Sequence, residues 1–283
     1  MDQSLKPDVA ATLDLSIVIV SWNTCDLLDA CLHSVTVEAA TANLAVEIFV
    51  VDNASTDESV AMVRRRYPHV VMIENKHNPG FAKANNQALA LAKGRYSLLL
   101  NPDTSVLAGG LAALVHFMDE HPEAGAAGAR LLNANGTLQH SCSPEPTLGR
   151  EIWRLFHLDD IKPHGVYAMC ECSTETPRPV DVVLGAAMIV RADVLKQVGG
   201  LDEGYFMYSE EVDWCTRIRR AGWQIYWVPA AHIIHYGGQS TRQMADAMFL
   251  QLYRGKVQYF SKHGGAMTTG AYKVVLACAT LAR

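Results

Sequence analysis

Apolar runs alternate with helical stripes through the first half of the chain. Runs rich in β-branched and leucine side chains predict buried strands at 15–20, 46–51, 70–73 and 96–100. Helical spacing predicts helices at 26–35, 81–92 and 110–121, with another that starts at Ser55 because Glu58 completes a capping box. This repetition predicts an α/β fold with a mainly parallel sheet flanked by helices.

The second half has a different pattern. Asn133 to Gly136 predicts a tight hairpin, and residues 141–179 show no period. A strand at 182–190 is broken by Gly185, a helix covers 209–221, and a strand at 224–228 stops at Pro229. We therefore divide the chain into a tail (1–14), a first half (15–130), a second half of the same domain (131–240) and a C-terminal helical extension (241–283).

Composition narrows the class of protein. The 283 residues carry a net charge of -5, which argues against nucleic acid as the main partner. Seven scattered cysteines favour reduced thiols and a cytoplasmic location, and no run reaches the ~18 apolar residues of a membrane span. The basic, apolar-striped segment 241–283 predicts either peripheral contact with the inner face of the cell membrane, or packing on the domain or in a homodimer.

Acidic and amide side chains follow the predicted strands. Asp52 ends one predicted strand. Asp103 follows another, after Asn101 and Pro102, and the proline stiffens the backbone that carries it. Ligands of open α/β sheets bind at such strand ends, where Asp52 can accept hydrogen bonds from a nucleoside and Asp103 can bind a divalent cation. A capped helix at the first position and a β-turn at the second are the structural alternatives.

Two helix starts carry further candidate chemistry. Gly80 opens a helix whose free N–H groups favour anions, although neither a P-loop nor a G-x-G-x-x-G pattern is present. Glu210, Glu211 and Asp213 lie close enough to raise one another's pKa, as suits a general base. The alternative is a solvated acidic helix start in which Asp213 pairs with Arg217.

Six segments together resemble the family 2 glycosyltransferases of the GT-A fold, especially their rhamnosyltransferase-like branch. The segments are 17–23 (IVIVSWN), 50–57 (VVDNASTD), 78–86 (NPGFAKANN), 101–103 (NPD), 210–217 (EEVDWCTR) and 235–240 (HYGGQS). The resemblance implies inverting transfer of a sugar, with rhamnose one candidate, from a UDP- or dTDP-linked donor. The acceptor it implies is a glycan or lipid-linked molecule of bacterial cell-surface polysaccharide synthesis.

The resemblance also implies roles for individual residues. The nucleotide-sugar donor would be bound by Ser21, Asn23, Asp52, Asn53, Gly80, Phe81, Asn85 and Asn101. Asp103 matches the last aspartate of the family's metal-binding D-x-D, and His235 a histidine that completes the site for Mg²⁺ or Mn²⁺. Glu211 matches the position of the general base. Many relatives carry the shorter Asp at that position, so Glu210 remains an alternative base.

Asn101 departs from the family pattern because it replaces the first D-x-D carboxylate. That departure motivates a competing interpretation, a nucleotide-sugar-binding protein without catalysis. A nucleotidyltransferase also uses carboxylates at strand ends, but it would need a glycine-rich basic loop that residues 20–23 do not supply. The central expectation is that Asp103 and Glu211 converge on one reacting carbon.

Overall fold

Four parallel strands form the first half of the central sheet. A computed structural model describes residues 13–160, 175–238 and 241–281. The strands β1 (Leu15–Ser21), β2 (Val46–Asp52), β3 (Val71–Glu74) and β4 (Tyr96–Leu100) lie in the order β3-β2-β1-β4. Ser21 pairs with Asp52, and Ile19 with Leu100, so the carboxyl ends of β1, β2 and β4 meet at one edge.

Helices cover both faces of this sheet, as predicted. They are α1 (Cys25–Thr41), α2 (Ser59–Arg66), α3 (Phe81–Leu89) and α4 (Gly110–Glu120). Alternate side chains of β1 enter different cores: Ile17 and Ile19 pack with Leu28 of α1, whereas Val18 packs with Ala84 of α3. A strand buried on both faces explains the continuous apolar run in the sequence.

The predicted helix start at Ser55 is wrong. The Ser55 hydroxyl accepts a hydrogen bond from the backbone N–H of Asn23 at 2.9 Å instead of capping a helix. The helix α2 begins at Ser59, whose N–H donates to Asp57 Oδ1 at 3.1 Å. Residues 53–58 therefore form a loop that is hydrogen-bonded to the turn after β1.

The second half adds strands of both directions to the sheet, and two further strands that form a separate pair. They include β5 (Thr104–Val106), β6 (Ala124–Leu132), β7 (Cys142–Ser143), β8 (Arg178–Pro179), β9 (Val182–Val183), β10 (Ala187–Arg191) and β11 (Gln224–His235). Among the described residues, the nine-stranded sheet has the order β3-β2-β1-β4-β10-β6-β11-β5, with β8 on β11. β10 runs antiparallel to both β4 and β6, whereas β11 is parallel to β6. β7 and β9 form a separate pair.

One predicted strand boundary is wrong, and one predicted break is confirmed. β11 does not stop at Pro229 but continues to His235, because its register on β6 shifts between Val228 and His232. A bulge of this kind accommodates a residue without an N–H. The predicted break at Gly185 in the run 182–190 is confirmed, because residues 184–186 separate β9 from β10 and line a cleft.

The segment predicted to be irregular contains a helix. α5 (Leu148–Leu155) is capped by the Thr147 hydroxyl, which accepts from Arg150 N–H at 3.2 Å. The predicted turn at 133–136 is confirmed: Asn133 N–H donates to the Thr137 carbonyl, and Leu132 bridges Leu138 antiparallel. Residues 161–174, in the rest of the irregular segment, lie outside the described residues, as do residues 1–12 of the predicted tail.

The C-terminal extension is helical, as predicted. After α6 (Ala192–Val198) and α7 (Glu210–Arg220), it comprises α8 (Ala245–His263) and α9 (Gly265–Leu281). A small core joins the extension to α5 through Leu155, Phe260 and Tyr272. Among the described helices, none is both long and apolar enough for a membrane span.

Candidate active site

A cleft of about 330 Å³ opens at the carboxyl ends of β1, β2 and β4. Residues 184–186 and the start of α7 form its opposite wall. Many of the residues singled out from the sequence line it: Ser21, Asn53, Gly80, Phe81, Asn101, Asp103, Glu210, Glu211 and His235. Asp103 and Glu211, more than a hundred positions apart in the chain, thus share one cavity.

Three predicted donor residues lie behind the cleft rather than in its wall. Asn23 holds the neighbouring loop, because its Oδ1 accepts from Thr56 N–H at 2.7 Å. Asp52 accepts from Ser55 N–H through Oδ2 at 2.9 Å, while its buried Oδ1 has no partner among the described residues. Asn85 is buried in α3 and donates to the Phe81 carbonyl at 2.9 Å. Their side chains shape the loops that border the cleft.

Gly80 allows two walls of the cleft to meet. Its φ is +92°, and a Cβ at this position would lie 2.4 Å from the Phe206 carbonyl oxygen. Phe81 N–H donates to that same carbonyl at 2.7 Å, and Asn78 Oδ1 accepts from Gly80 N–H at 2.9 Å. The loop that contains Gly80 is therefore locked to the segment that precedes α7.

Asp103, Asn101 and His235 form a polar group beyond the end of β4. Asp103 is buried, and its Oδ1 lies 3.4 Å from His235 Nε2. Asn101 Nδ2 lies 3.3 Å from the same imidazole nitrogen. β11 brings His235 here because it continues past Pro229, and the Tyr236 N–H donates to the Asp103 carbonyl at 2.9 Å.

When the His235 ring is neutral, Gln139 fixes its tautomer. Its amide nitrogen lies 3.3 Å from the backbone oxygen of His235, which can only accept, so its Oε1 must face His235 Nδ1 at 2.7 Å. Nδ1 then carries the proton, and Nε2 presents a lone pair beside the Asp103 carboxylate. Two electron-pair donors facing each other suit a cation, and such an outer hydrogen bond is usual for a ligating histidine.

This donor set fits a divalent cation that takes its other ligands from a substrate. Within the described ranges, no group of three His, Cys, Asp or Glu side chains could hold a metal. Mg²⁺, however, is commonly bound through one or two carboxylates together with substrate phosphates. One carboxylate, one imidazole and the neighbouring Asn101 amide are compatible with that mode.

Glu210 and Glu211 begin α7 in the opposite wall. Both Tyr208 and Ser209 before them have positive φ, 69° and 73°. The Oε2 atoms of both glutamates are buried and have no hydrogen-bond partner among the described residues. Burial raises the pKa of Glu211, and burial together with the charge of Glu211 raises that of Glu210 well above its usual value. The pair is therefore suited to share a proton.

Asp213 differs from the expectation for a third active-site carboxylate. It is not in the cleft wall; it is fully buried, and its oxygens accept from Arg217 Nε at 2.7 Å, Lys262 Nζ at 2.8 Å and His263 Nε2 at 2.7 Å. Burial alone would raise its pKa, but these bonds outweigh burial and lower it. The prediction that acidic neighbours raise this pKa is wrong, and we assign Asp213 to the joint between α7 and α8.

Comparison with known proteins decides the family. Residues 16–166, more than half of the chain, match the family model described as glycosyl transferase family 2. This chain belongs to that family. The family and the GT-A type of fold expected from the sequence are thereby confirmed.

Relatives of this glycosyltransferase include a rhamnosyltransferase. The N-acetylglucosaminyl-diphospho-decaprenol L-rhamnosyltransferase of Mycobacterium tuberculosis is 30% identical over 210 residues, which cover 69% of this chain and 68% of the relative. The low-salt glycan biosynthesis hexosyltransferase Agl10 of Haloferax volcanii is 27% identical over 83% of this chain and 71% of its own.

Solved structures share the fold. The mannosyltransferase PcManGT from Pyrobaculum calidifontis, in complex with GDP-Man and Mn²⁺, has a TM-score of 0.61 and 18% identity, covering 99% of this chain and 78% of its own. GalNAc-T7 with UDP, GalNAc and Mn²⁺ has a TM-score of 0.60 and 16% identity, and the match covers 80% of this chain and 44% of the GalNAc-T7 chain. These likenesses support the GT-A fold over nearly the whole glycosyltransferase.

Some residues at the site of this glycosyltransferase carry no signal in the sequence. Gln139 lies just beyond a surface hairpin, yet it orients His235. Met244 and Met248, from the C-terminal extension, line the cleft. An isolated glutamine and two helical methionines match no motif, so only the folded arrangement identifies them.

Proposed function

We propose that this glycosyltransferase moves a hexosyl group from a nucleotide-diphosphate donor to a hydroxyl group of a lipid-linked acceptor, with inversion at the anomeric carbon. The names of the relatives support this choice, because one transfers L-rhamnose to a diphospho-decaprenol-linked sugar. A dTDP- or UDP-linked sugar is the donor class, and rhamnose is the first sugar to test.

One observation carries the proposal: Asp103 and Glu211 line the same cleft. The bond at the anomeric carbon breaks with oxocarbenium character, as in glycoside hydrolysis. Glu211 accepts the proton of the attacking hydroxyl, and the nucleoside diphosphate leaves on the side of Asp103. A single displacement needs no enzyme nucleophile and inverts the anomeric centre.

Asp103 and His235 are the residues that would hold Mg²⁺ or Mn²⁺. A bound divalent cation would neutralise charge on the departing diphosphate. The chain itself contributes a preset tautomer, because Gln139 keeps the Nε2 lone pair of His235 turned toward Asp103. At the nucleoside end, Ser21 and Asn53 border the donor and Gly80 keeps the wall close.

Glu210 serves the proposed base by retaining a proton. Its raised pKa favours the neutral acid, which leaves the shared negative charge on Glu211. Glutamine is a close mimic of a protonated glutamate, so Glu210→Gln should be tolerated. Loss of the carboxylate at Glu211 removes the base itself.

The exposed side of α9 would rest on an anionic membrane surface. Met267, Val274 and Leu281 are 90%, 64% and 89% exposed and recur every seven residues, so they share one helix face. The basic Lys273 lies beside Val274. An apolar helix face with an adjacent cation suits the interface where a lipid-linked acceptor resides.

The test is transfer by the single-substitution variants Glu211→Gln and Glu210→Gln, measured with a panel of sugar nucleotides. We expect Glu211→Gln to bind donor normally while turnover falls by about 10²–10⁴-fold. Glu210→Gln should lose much less. Undiminished turnover in Glu211→Gln would contradict the base assignment, and a wild-type protein that binds donor without any transfer would favour the non-catalytic binding protein.

A further inference from the structure

A second cavity of about 310 Å³ adjoins the cleft, and we call it the side cavity. It shares Leu184, Tyr208 and Glu211 with the cleft wall. The proposed base is therefore accessible from two cavities. One of them contains the cation-binding group, and the other remains for the molecule that supplies the attacking hydroxyl.

Cationic side chains from two helices converge on the side cavity. Arg150 and Arg154 come from one face of α5, and Lys256 from α8. The same wall contains two acidic residues, Glu151 and Glu211. Cationic side chains that converge on a concave surface favour a negatively charged ligand.

Lys256 and Glu151 form the buried part of this group. Lys256 Nζ lies 2.6 Å from Glu151 Oε2, and their side chains are only 15% and 3% exposed. Arg154 Nη1 lies 3.4 Å from the other oxygen of Glu151. One carboxylate thus faces two cations.

Arg150 adds a positive charge that no carboxylate of the described residues pairs with. Its Nη1 donates to the Glu145 backbone carbonyl at 2.7 Å. In the part of the chain that the structure describes, no carboxylate oxygen lies within 4 Å of this guanidinium. A guanidinium held by a backbone carbonyl keeps further N–H donors for a phosphate group.

The remaining wall is largely apolar. Pro144 and Pro146 lie at one end, and Leu252 and Phe260 of α8 line another side. A pocket with apolar walls and a few convergent charges can bury a ligand that has both an anionic and a hydrocarbon part. Inorganic phosphate alone would leave these walls without contacts.

We infer that the side cavity binds the diphosphate of a prenyl-diphosphate-linked acceptor, with Arg150 and Lys256 as its charged contacts. This inference rests on the proposed function, because it gives the acceptor sugar a location beside Glu211. It assigns acceptor recognition to α5 and α8, which the family motifs do not include.

Binding of farnesyl diphosphate, measured calorimetrically in chelator so that no divalent cation contributes, tests the cavity directly. Arg150→Gln is the informative variant, since removing Lys256 would leave Glu151 buried without its closest cation. We expect about a 10–100-fold weaker affinity in Arg150→Gln, as for loss of a charge-assisted bond. Arg254→Gln is the control because Arg254 is exposed on α8, the helix that carries Lys256, and is not in the wall.

Two results would overturn the inference: no farnesyl diphosphate binding by the wild type, or equal affinity in Arg150→Gln. The inference would also be contradicted if Arg150→Gln lost as much affinity for farnesol as for farnesyl diphosphate, because farnesol lacks the charged diphosphate. Sugar transfer is measured separately. If binding depends on Arg150 while no transfer is seen to any acceptor, the proposed function fails and the side cavity stands as a diphosphate site.

Discussion

Asp213→Asn distinguishes a structural carboxylate from a catalytic one. Asp213 is fully buried, its Oδ2 accepts from Arg217 and its Oδ1 from both Lys262 and His263. Asparagine keeps one acceptor but turns an NH₂ group toward a cation in either orientation. We therefore expect the variant to fold less stably and yet to retain its chemistry.

The size of the effect follows from the burial of the partners. Removing one member of a buried ion pair costs about 3–5 kcal/mol. Lys262 is 36% exposed and also pairs with Asp202, so solvent and that second pair offset part of the loss of its interaction with Asp213. We therefore take the lower end of this range, about 3 kcal/mol. At roughly 2–4 °C per kcal/mol, the unfolding midpoint should fall by about 6–12 °C.

Thermal unfolding and transfer rate are measured on the same preparations. Asp193→Asn is the matched control, because it removes the same charge from an exposed pair with Lys196 and should leave the midpoint unchanged. The native pKa of Asp213 is lowered, so its stabilisation is complete above the unfolded value of about 3.9 and disappears as the pH falls through the native value. An unchanged midpoint with abolished transfer would refute the structural role.

Three further predictions concern the base, the donor wall and α9. Because burial raises the pKa of Glu211, the rate of transfer should fall on the acid side at a pH above the ordinary glutamate value of about 4.3; a pH profile that stays level down to that value would contradict the assignment. Gly80→Ala should weaken donor binding and lower the unfolding midpoint more than Gly109→Ala, because both have positive φ but only Gly80 meets a neighbouring backbone; equal effects in binding and unfolding assays would rule out the close approach. Met267→Glu with Val274→Glu should reduce co-sedimentation with anionic vesicles, whereas Val37→Glu, at an exposed site on α1, should not; equal vesicle binding by all variants would exclude α9 as the contact.

Periodicity predicted the first half of the fold well. The strands β1, β2 and β4 are largely buried on both faces, so their side chains leave continuous apolar runs that local reasoning detects. Pro229 misled the same reasoning, because a bulge absorbs it and β11 continues to His235. Capping chemistry misled it at Ser55, whose hydroxyl bonds a distant backbone N–H.

The candidate site was predictable where local motifs carry it. Asp103 follows a strand and Glu211 lies at the start of a helix, and both positions are visible in the sequence. The partners of Asp213 could not be predicted in this way, because Lys262 and His263 lie about fifty residues downstream on α8. The side cavity was invisible for a similar reason: α5 lies in a segment without apparent period, and only its packing with α8 and α9 brings Arg150 near Lys256.

A crystal structure of Glu211→Gln with Mn²⁺ and the sugar nucleotide that stabilises the protein most would test the central claim most directly. We predict that the diphosphate lies beside Asp103 and His235, and that the anomeric carbon faces the side chain at position 211 across the cleft. A sugar nucleotide bound with its anomeric carbon turned away from that side chain, or bound outside the cleft, would contradict the account.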